Sequence, residues 1–145
     1  ARAIVAARQD APITRTGQLA EIVKQANPAW EKDKHPATRA FQGIRIFING
    51  EFDELNLALE QALGVLDVGG RLVVISFHSL EDRIVKKFIA MQTKGDNFPR
   101  DLPVTESMMN PRLRAIGKAV KPSAGEIHNN PRARSAVMRV AEKIA

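Results

Sequence analysis

The side chains with the most chemical potential in this chain are crowded behind one apolar run. In "RLVVISFHSLEDRIVKKF" the segment Leu72-Val73-Val74-Ile75 gives way to Ser76, Phe77, His78 and Ser79, and an amphipathic pattern begins at once. A hydroxyl beside an imidazole is the pair that a nucleophile and its base require. The Gly-x-Ser-x-Gly elbow that would present such a serine is absent, so a hydrolase is set aside. A second chemistry is anion binding by the free N–H groups of a helix that starts at Ser79. The plain alternative is structural: Ser79 caps the helix, with Asp82 three residues on as a variant capping box, and His78 packs.

A second concentration of chemistry is basic. Residues 1–109 hold fourteen Lys/Arg and fourteen Asp/Glu, whereas residues 110–145 hold eight Lys/Arg against Glu126 and Glu142. The whole formal charge of +6 therefore lies in the last quarter of the chain. Such a patch is an electrostatic footprint for a polyanion, nucleic acid first, with a solvated basic surface as the alternative.

Composition narrows the class. A chain of 145 residues makes one domain, or one domain with a small appendage. Hydrophobic content of 44% and a mean hydropathy of −0.21 fit a soluble globular protein. No apolar run approaches the roughly 20 residues of a membrane span, and "ARAIVAARQD" is no signal peptide, so a cytoplasmic protein without membrane contact is expected. Without cysteine there are no disulfides or thiolate metal sites. His35, His78 and His128 lack metal-ligand spacing, so no metal is expected.

Stepping outward from the corner, periodicity supplies the elements that must hold it. "ARAIVAAR" reads as the end of a helix whose beginning is missing, and Thr16 as the cap of a short helix over 17–26. "NPAWEKDK" is a polar connection, where a domain boundary is placed. Pro36 suits a first helical turn, and the helix after it has an apolar face of Ala40, Phe41, Ile44, Phe47 and Ile48. Thr38, Gln42, Arg45 and Asn49 stack on its other side as one polar stripe. After a break at Asn49-Gly50, Phe52, Leu55, Leu59, Ala62, Leu63 and Leu66 mark a core-facing helix that Gly69 or Gly70 ends. The strand over 72–77 is continuously apolar, which predicts cover on both faces as in a parallel sheet. In the next helix Leu80, Ile84, Phe88 and Met91 form the buried side, and residues 93–111 read as loop. Two further strands, 113–120 and 135–144, could pair antiparallel. Three strands are few for a doubly wound domain, and the nine glycines lie singly or as Gly69-Gly70, never as a phosphate loop. The pattern reads as the second half of a larger fold.

Three blocks now carry a resemblance. "LGVLDVGGRLVVISFHS" looks like the passage before the fifth strand of many S-adenosylmethionine-dependent methyltransferases, with Val68 where proline is usual. "KHPATRAFQGIRIFINGEFDEL", "GGRLVVISFHSLEDRIVKKF" and "NNPRARSAVMRVAE" together are similar to the bacterial small-subunit ribosomal RNA cytosine-N4 methyltransferases of the MraW type. The resemblance implies the C-terminal half of a class I S-adenosylmethionine-dependent methyltransferase fold, an α/β Rossmann-like architecture. Residues 1–33 would end a helical insert domain and residues 34–145 would belong to the methyltransferase domain. The implied activity is methyl transfer to the exocyclic amine of a cytosine in the decoding region. The glycine-rich cofactor loop and the catalytic loop would both lie upstream, so the segment alone is expected to be inactive.

What remains is the substrate side, with small-subunit ribosomal RNA as the expected partner and oligomeric state left open, a homo-oligomer included. Thr38, Arg39, Gln42, Arg45 and Asn49 match the family's helix and would line the cleft or grip RNA. Ser76, Phe77, His78, Ser79 and Arg83 match its corner. There Phe77 would stack on a base, and His78 and Ser79 would bond its edge or a phosphate. Arg132 and Arg134 are the expected phosphate contacts, supported by Arg114 and Lys118. Each group keeps its bland alternative as solvated face, cap or basic loop. The rival function is a non-catalytic RNA-binding or ribosome assembly module.

Overall fold

Glycines punctuate the chain where its helices must stop. The computed structural model describes residues 1–27, 35–96, 105 and 108–145, which form two compact units, 1–51 and 52–145. The boundary expected at residue 33 and most of the expected loop over 93–111 lie outside the described residues. Among those described, no helix is long and apolar enough to cross a membrane.

In the first unit, α1 (Arg2–Asp10) and α2 (Thr16–Gln25) pack on each other without burying any residue fully. Thr16 is not the cap of α2. Arg15 takes that position and makes no side-chain cap bond, while the Gln18 side chain accepts from the backbone N–H of Thr14. In α3 (Thr38–Asn49) the buried residue is Ile46, and Phe47 and Ile48, expected inside, are exposed. The helix carries isoleucine at 44, 46 and 48, so apolar residues point to more than one side and periodicity alone could not choose. Gly50 ends α3 in the left-handed region at φ 61°, where a Cβ would be strained.

The second unit is built on a three-stranded sheet of order β1-β3-β2, with β1 at Arg71–Ser76, β2 at Leu113–Ala115 and β3 at Val137–Lys143. Both outer strands run antiparallel to β3 and hence parallel to each other. The antiparallel pairing expected of the last two strands is present, shortened to three residues of β2 plus a bridge between Val120 and Met138. Helix α4 (Glu51–Val65) leads into β1, and Lys143 secures that junction. Its ammonium donates to the carbonyls of Leu63 (3.1 Å) and Leu66 (2.7 Å), which α4 leaves unpaired at its C-terminus.

Helix α5 (Ser79–Lys94) returns the chain across one face of the sheet. The core there joins Leu59 and Leu63 of α4, Leu72 of β1, Val85, Phe88 and Ile89 of α5, Leu113 of β2 and Ala141 of β3. Each large side chain so buried contributes about 1.5–3 kcal/mol relative to exposure. The buried stripe of α5 is Val85, Phe88, Ile89 and Gln92, one residue round from the expected line, and Met91 is exposed. An ion pair fixes that rotation. Arg139 lies opposite Val74 on the covered face and donates to both oxygens of Asp82 at 2.6 and 2.9 Å.

The expectation that β1 is covered on both faces does not hold among the described residues. Val73 and Ile75 are 53% and 54% exposed, on the face away from α5. The continuous apolar run reports two faces able to be buried, and the described residues supply cover for one. A helix absent from the expectation, α6 (Ala124–Asn129), sits in the long β2–β3 connection. It is closed by a Ser123–Glu126 capping box and followed by a 3-10 turn over Pro131–Ser135.

The hydrogen bonds and charge of Arg139 hold the Asp82 carboxyl below its ordinary 3.8, against the opposing effect of burial. A depressed folded value means the pair stabilises the fold above the unfolded value and is lost as pH falls through the folded one. Asp82→Asn should therefore cost about 1–2 kcal/mol at neutral pH. In urea titrations the gap from the unsubstituted protein should narrow as pH drops below about 4.

Candidate nucleic-acid interface

The corner after β1 is built by its own carboxylate. His78, not Ser79, is the N-cap of α5, and the capping box runs from His78 to Glu81 rather than from Ser79 to Asp82. The His78 Nδ1 accepts from the Glu81 N–H at 3.3 Å. One Glu81 oxygen accepts from the backbone N–H groups of Phe77 (2.9 Å) and His78 (3.1 Å). Because Nδ1 accepts, the proton of a neutral ring sits on Nε2. That atom is shielded from solvent and lies 3.1 Å from the other Glu81 oxygen, yet not in line for a hydrogen bond. Across the ring, Phe52 of α4 lies 6.2 Å away, centroid to centroid, tilted by 56°.

This changes what the corner can bind. Glu81 takes the N–H groups of Phe77 and His78 and places negative charge at the helix start, where an incoming phosphate would be repelled. What the corner offers outward is the 57% exposed ring of Phe77 and the exposed Ser79, with Ser76 buried behind them and Arg83 exposed on the next turn. Such a surface suits the face and edge of an uncharged ring better than an anion.

The sheet register decides which basic residues share that end. Ser76 pairs with Val137, so the turn over Pro131–Ser135, only two residues ahead of β3, lies at the same end of the sheet as the corner. Asn130 holds this turn by accepting from the Arg132 N–H at 3.2 Å, and Arg132 and Arg134 are both exposed. Arg114 is placed differently. It pairs with Glu142, which also faces Arg71, at the opposite end of β1 and roughly 17 Å from the corner by strand rise. Lys118 is exposed in the loop between β2 and the Val120 bridge.

Thr38, Arg39, Gln42, Arg45 and Asn49 belong to the first unit. Arg45 grips Glu51 through two bonds, at 2.8 and 3.1 Å, and Asn49 adds a third at 3.2 Å. Thr38 and Arg39 are exposed and Gln42 is half-buried. Sequence reasoning passed over Glu81, which organises the corner, and gave Asp82 the capping role in place of its pairing with Arg139. The signal for Glu81 was present: it stands three residues after His78, the capping-box spacing, but Ser79 offered the commoner cap type.

The described residues do not by themselves fit S-adenosylmethionine. The one adjacent glycine pair, Gly69–Gly70, is spent on the α4–β1 turn, where Gly69 donates to the Lys143 carbonyl at 2.7 Å. A cavity of about 400 Å³ beside α5 has only basic residues among its charged lining, the wrong sign for a sulfonium. Among the described residues no three His, Asp or Glu side chains gather as a metal-ligand set.

If His78 acts as a cap, the substituents that can cap should replace it. His78→Ala should lower unfolding free energy by about 1 kcal/mol, and His78→Asn should recover most of the loss. Chemical denaturation of the three proteins side by side reads the difference.

Comparison with known proteins then gives this arrangement its context. The chain is 62% identical over 145 residues to the "Ribosomal RNA small subunit methyltransferase H" of Chromohalobacter salexigens. That alignment covers 99% of this chain and 44% of the relative, so the chain spans less than half the relative's length. A family model described as the MraW methylase family matches residues 1–144. With a match that runs through the corner, the arginine turn and the helices of the first unit alike, the chain belongs to the MraW methylase family.

Proposed function

We propose that this chain is the substrate-side part of an enzyme that uses S-adenosylmethionine to methylate N4 of a cytosine in small-subunit ribosomal RNA. One observation carries the reading. The register that sets Ser76 against Val137 gathers a corner with an exposed aromatic ring and an exposed arginine turn at one end of a sheet. A base needs the first and its phosphates need the second. The printed name of the relative, a ribosomal RNA small subunit methyltransferase, supports the same substrate.

The chemistry asks for such a surface. The N4 lone pair of cytosine is conjugated with its ring, so the amine must be held in line with the methyl donor and its electrons drawn out by positioned hydrogen bonds. The base must first leave its stack. On this reading Phe77 stacks on the extruded ring, Ser79 bonds its edge, and Arg132 and Arg134 hold the strand. Donor and catalytic groups then lie in parts of the protein outside this chain. The uncovered Val73 and Ile75, and an outer edge of β1 unpaired among the described residues, support a larger Rossmann-like sheet that continues past β1. Residues 1–33 then end a helical insert and residues 34–145 belong to the methyltransferase domain, in a cytoplasmic protein. A non-catalytic RNA-binding or assembly module is the second reading, favoured by the lack of a glycine-rich loop in this chain.

Isothermal titration separates the two. The complete protein should bind S-adenosylmethionine, and the 145-residue chain alone should not. Incubated with small ribosomal subunits and labelled donor, the complete protein should yield N4-methylcytidine in the nuclease digest. A complete protein that binds RNA but leaves cytosine unmodified would establish the assembly reading instead.

Arg132→Ala combined with Arg134→Ala should weaken RNA binding and reduce the slope of log affinity against log salt by about 1.4 to 1.8. Donor affinity should stay as it was. Unchanged RNA binding would return both arginines to the solvated surface.

A further inference from the structure

The cavity beside α5 is separate from the corner and has no part in the reading above. It opens between the outward side of α5 and the edge of the sheet at β2 and the loop after it, and encloses about 400 Å³. That is the size of a pocket for a small organic group, commonly about 300–1,000 Å³. Its apolar walls are Ile89 and Ala90 on one side and Ile116 and Val140 on the other, Ile89 buried and Ala90 exposed. The charged residues that line it are all basic. Lys86 stands on the α5 side, where its charge also acts on Asp82, and Lys118 stands on the loop side. Arg139 also contributes to the wall, and its guanidinium is held in one orientation by Asp82. Thr93 adds a hydroxyl.

An apolar slot with cations on both lips fits a ligand that is flat and uncharged in the middle and anionic on either side. A fatty acid carries its charge at one end only. A nucleotide within a strand has a base between two phosphates. We infer that this cavity takes one unstacked base of a single-stranded segment of the RNA substrate, with the flanking phosphates on Lys86 and Lys118. The inference rests on the RNA-directed function proposed above and adds a second point of attachment, away from the corner. A duplex cannot use it, because a paired base cannot enter a concave pocket without leaving its stack. Recognition here is by shape and stacking against the fixed guanidinium plane and the aliphatic walls, so it tolerates more than one base. Its role is to grip single-stranded RNA beside the target and so favour substrate in which the region around the cytosine is open.

The test uses the complete protein with two fluorescent probes, a single-stranded RNA decamer of mixed sequence and the same RNA annealed to its complement. Ala90 is exposed at the mouth, so Ala90→Trp fills the cavity without entering the core. It should weaken single-strand binding about tenfold, with the salt slope and duplex binding unchanged. Lys86→Ala with Lys118→Ala, both surface changes, should weaken binding and reduce the salt slope by about 1.4. Single-strand binding by Ala90→Trp equal to that of the unsubstituted protein overturns the inference, as does an equal loss for duplex and single strand. A loss confined to intact small ribosomal subunits, with free RNA bound normally, also overturns it and assigns the cavity to a protein contact. The readouts keep the two proposals apart. Failure to form N4-methylcytidine sinks the proposed function, whereas normal methylation with an indifferent Ala90→Trp sinks the cavity alone.

Discussion

The C-terminal unit depends on β3 lying antiparallel between β1 and β2. That one insertion gives both outer strands a ladder of backbone bonds and leaves them parallel to each other, so α5 can connect them across a single face. It also fixes the register that places Arg139 on the covered side, beneath Asp82, and Val137 beside Ser76. With the first pairing α5 loses its freedom to rotate, and with the second the arginine turn is brought to the end of β1. A slip of one residue in β3 would send Arg139 to the other face and undo both.

Carboxylates sort the basic residues into those that hold the fold and those that remain available. Asp82 engages Arg139, Glu142 engages Arg114 and Arg71, and the carbonyls at the end of α4 engage Lys143. Glu81 fills the start of α5, so the anion site that a helix N-terminus would have offered is taken by the protein itself. Among the basic residues that stay outward are those of the turn with Arg132 and Arg134 and the two lysines that line the cavity. A formal +6 therefore understates how selectively positive charge is presented. Part of it is neutralised in pairs, and part stays exposed on the turn and beside the cavity.

Much of the local structure was legible in the sequence because it rests on local physics. The helix stop at Gly50, the left-handed Gly69, the apolar stripe of α4 and the strand over 71–76 all follow from short-range patterns. Failures came where two local solutions were nearly equal. Ser79 and His78 compete for one cap, and the spacing to Glu81 rather than the residue type decided it. Two apolar lines compete on α5, and α3 carries isoleucines on more than one side. The grouping of Arg114 with Arg132 and Arg134 failed for another reason: position along the chain does not reveal the end of a sheet to which a residue belongs.

By itself, then, the sequence determined the elements, the basic bias of the last quarter and the motifs that place the chain in its family, because each is written in neighbouring residues. Only the tertiary structure decided which arginines stand beside the corner, which carboxylate closes it and where a cavity forms between α5 and the sheet edge. Those outcomes depend on register and on the rotation of a packed helix. Both are set by contacts between residues as far apart as Asp82 and Arg139, and no short window of sequence contains such contacts.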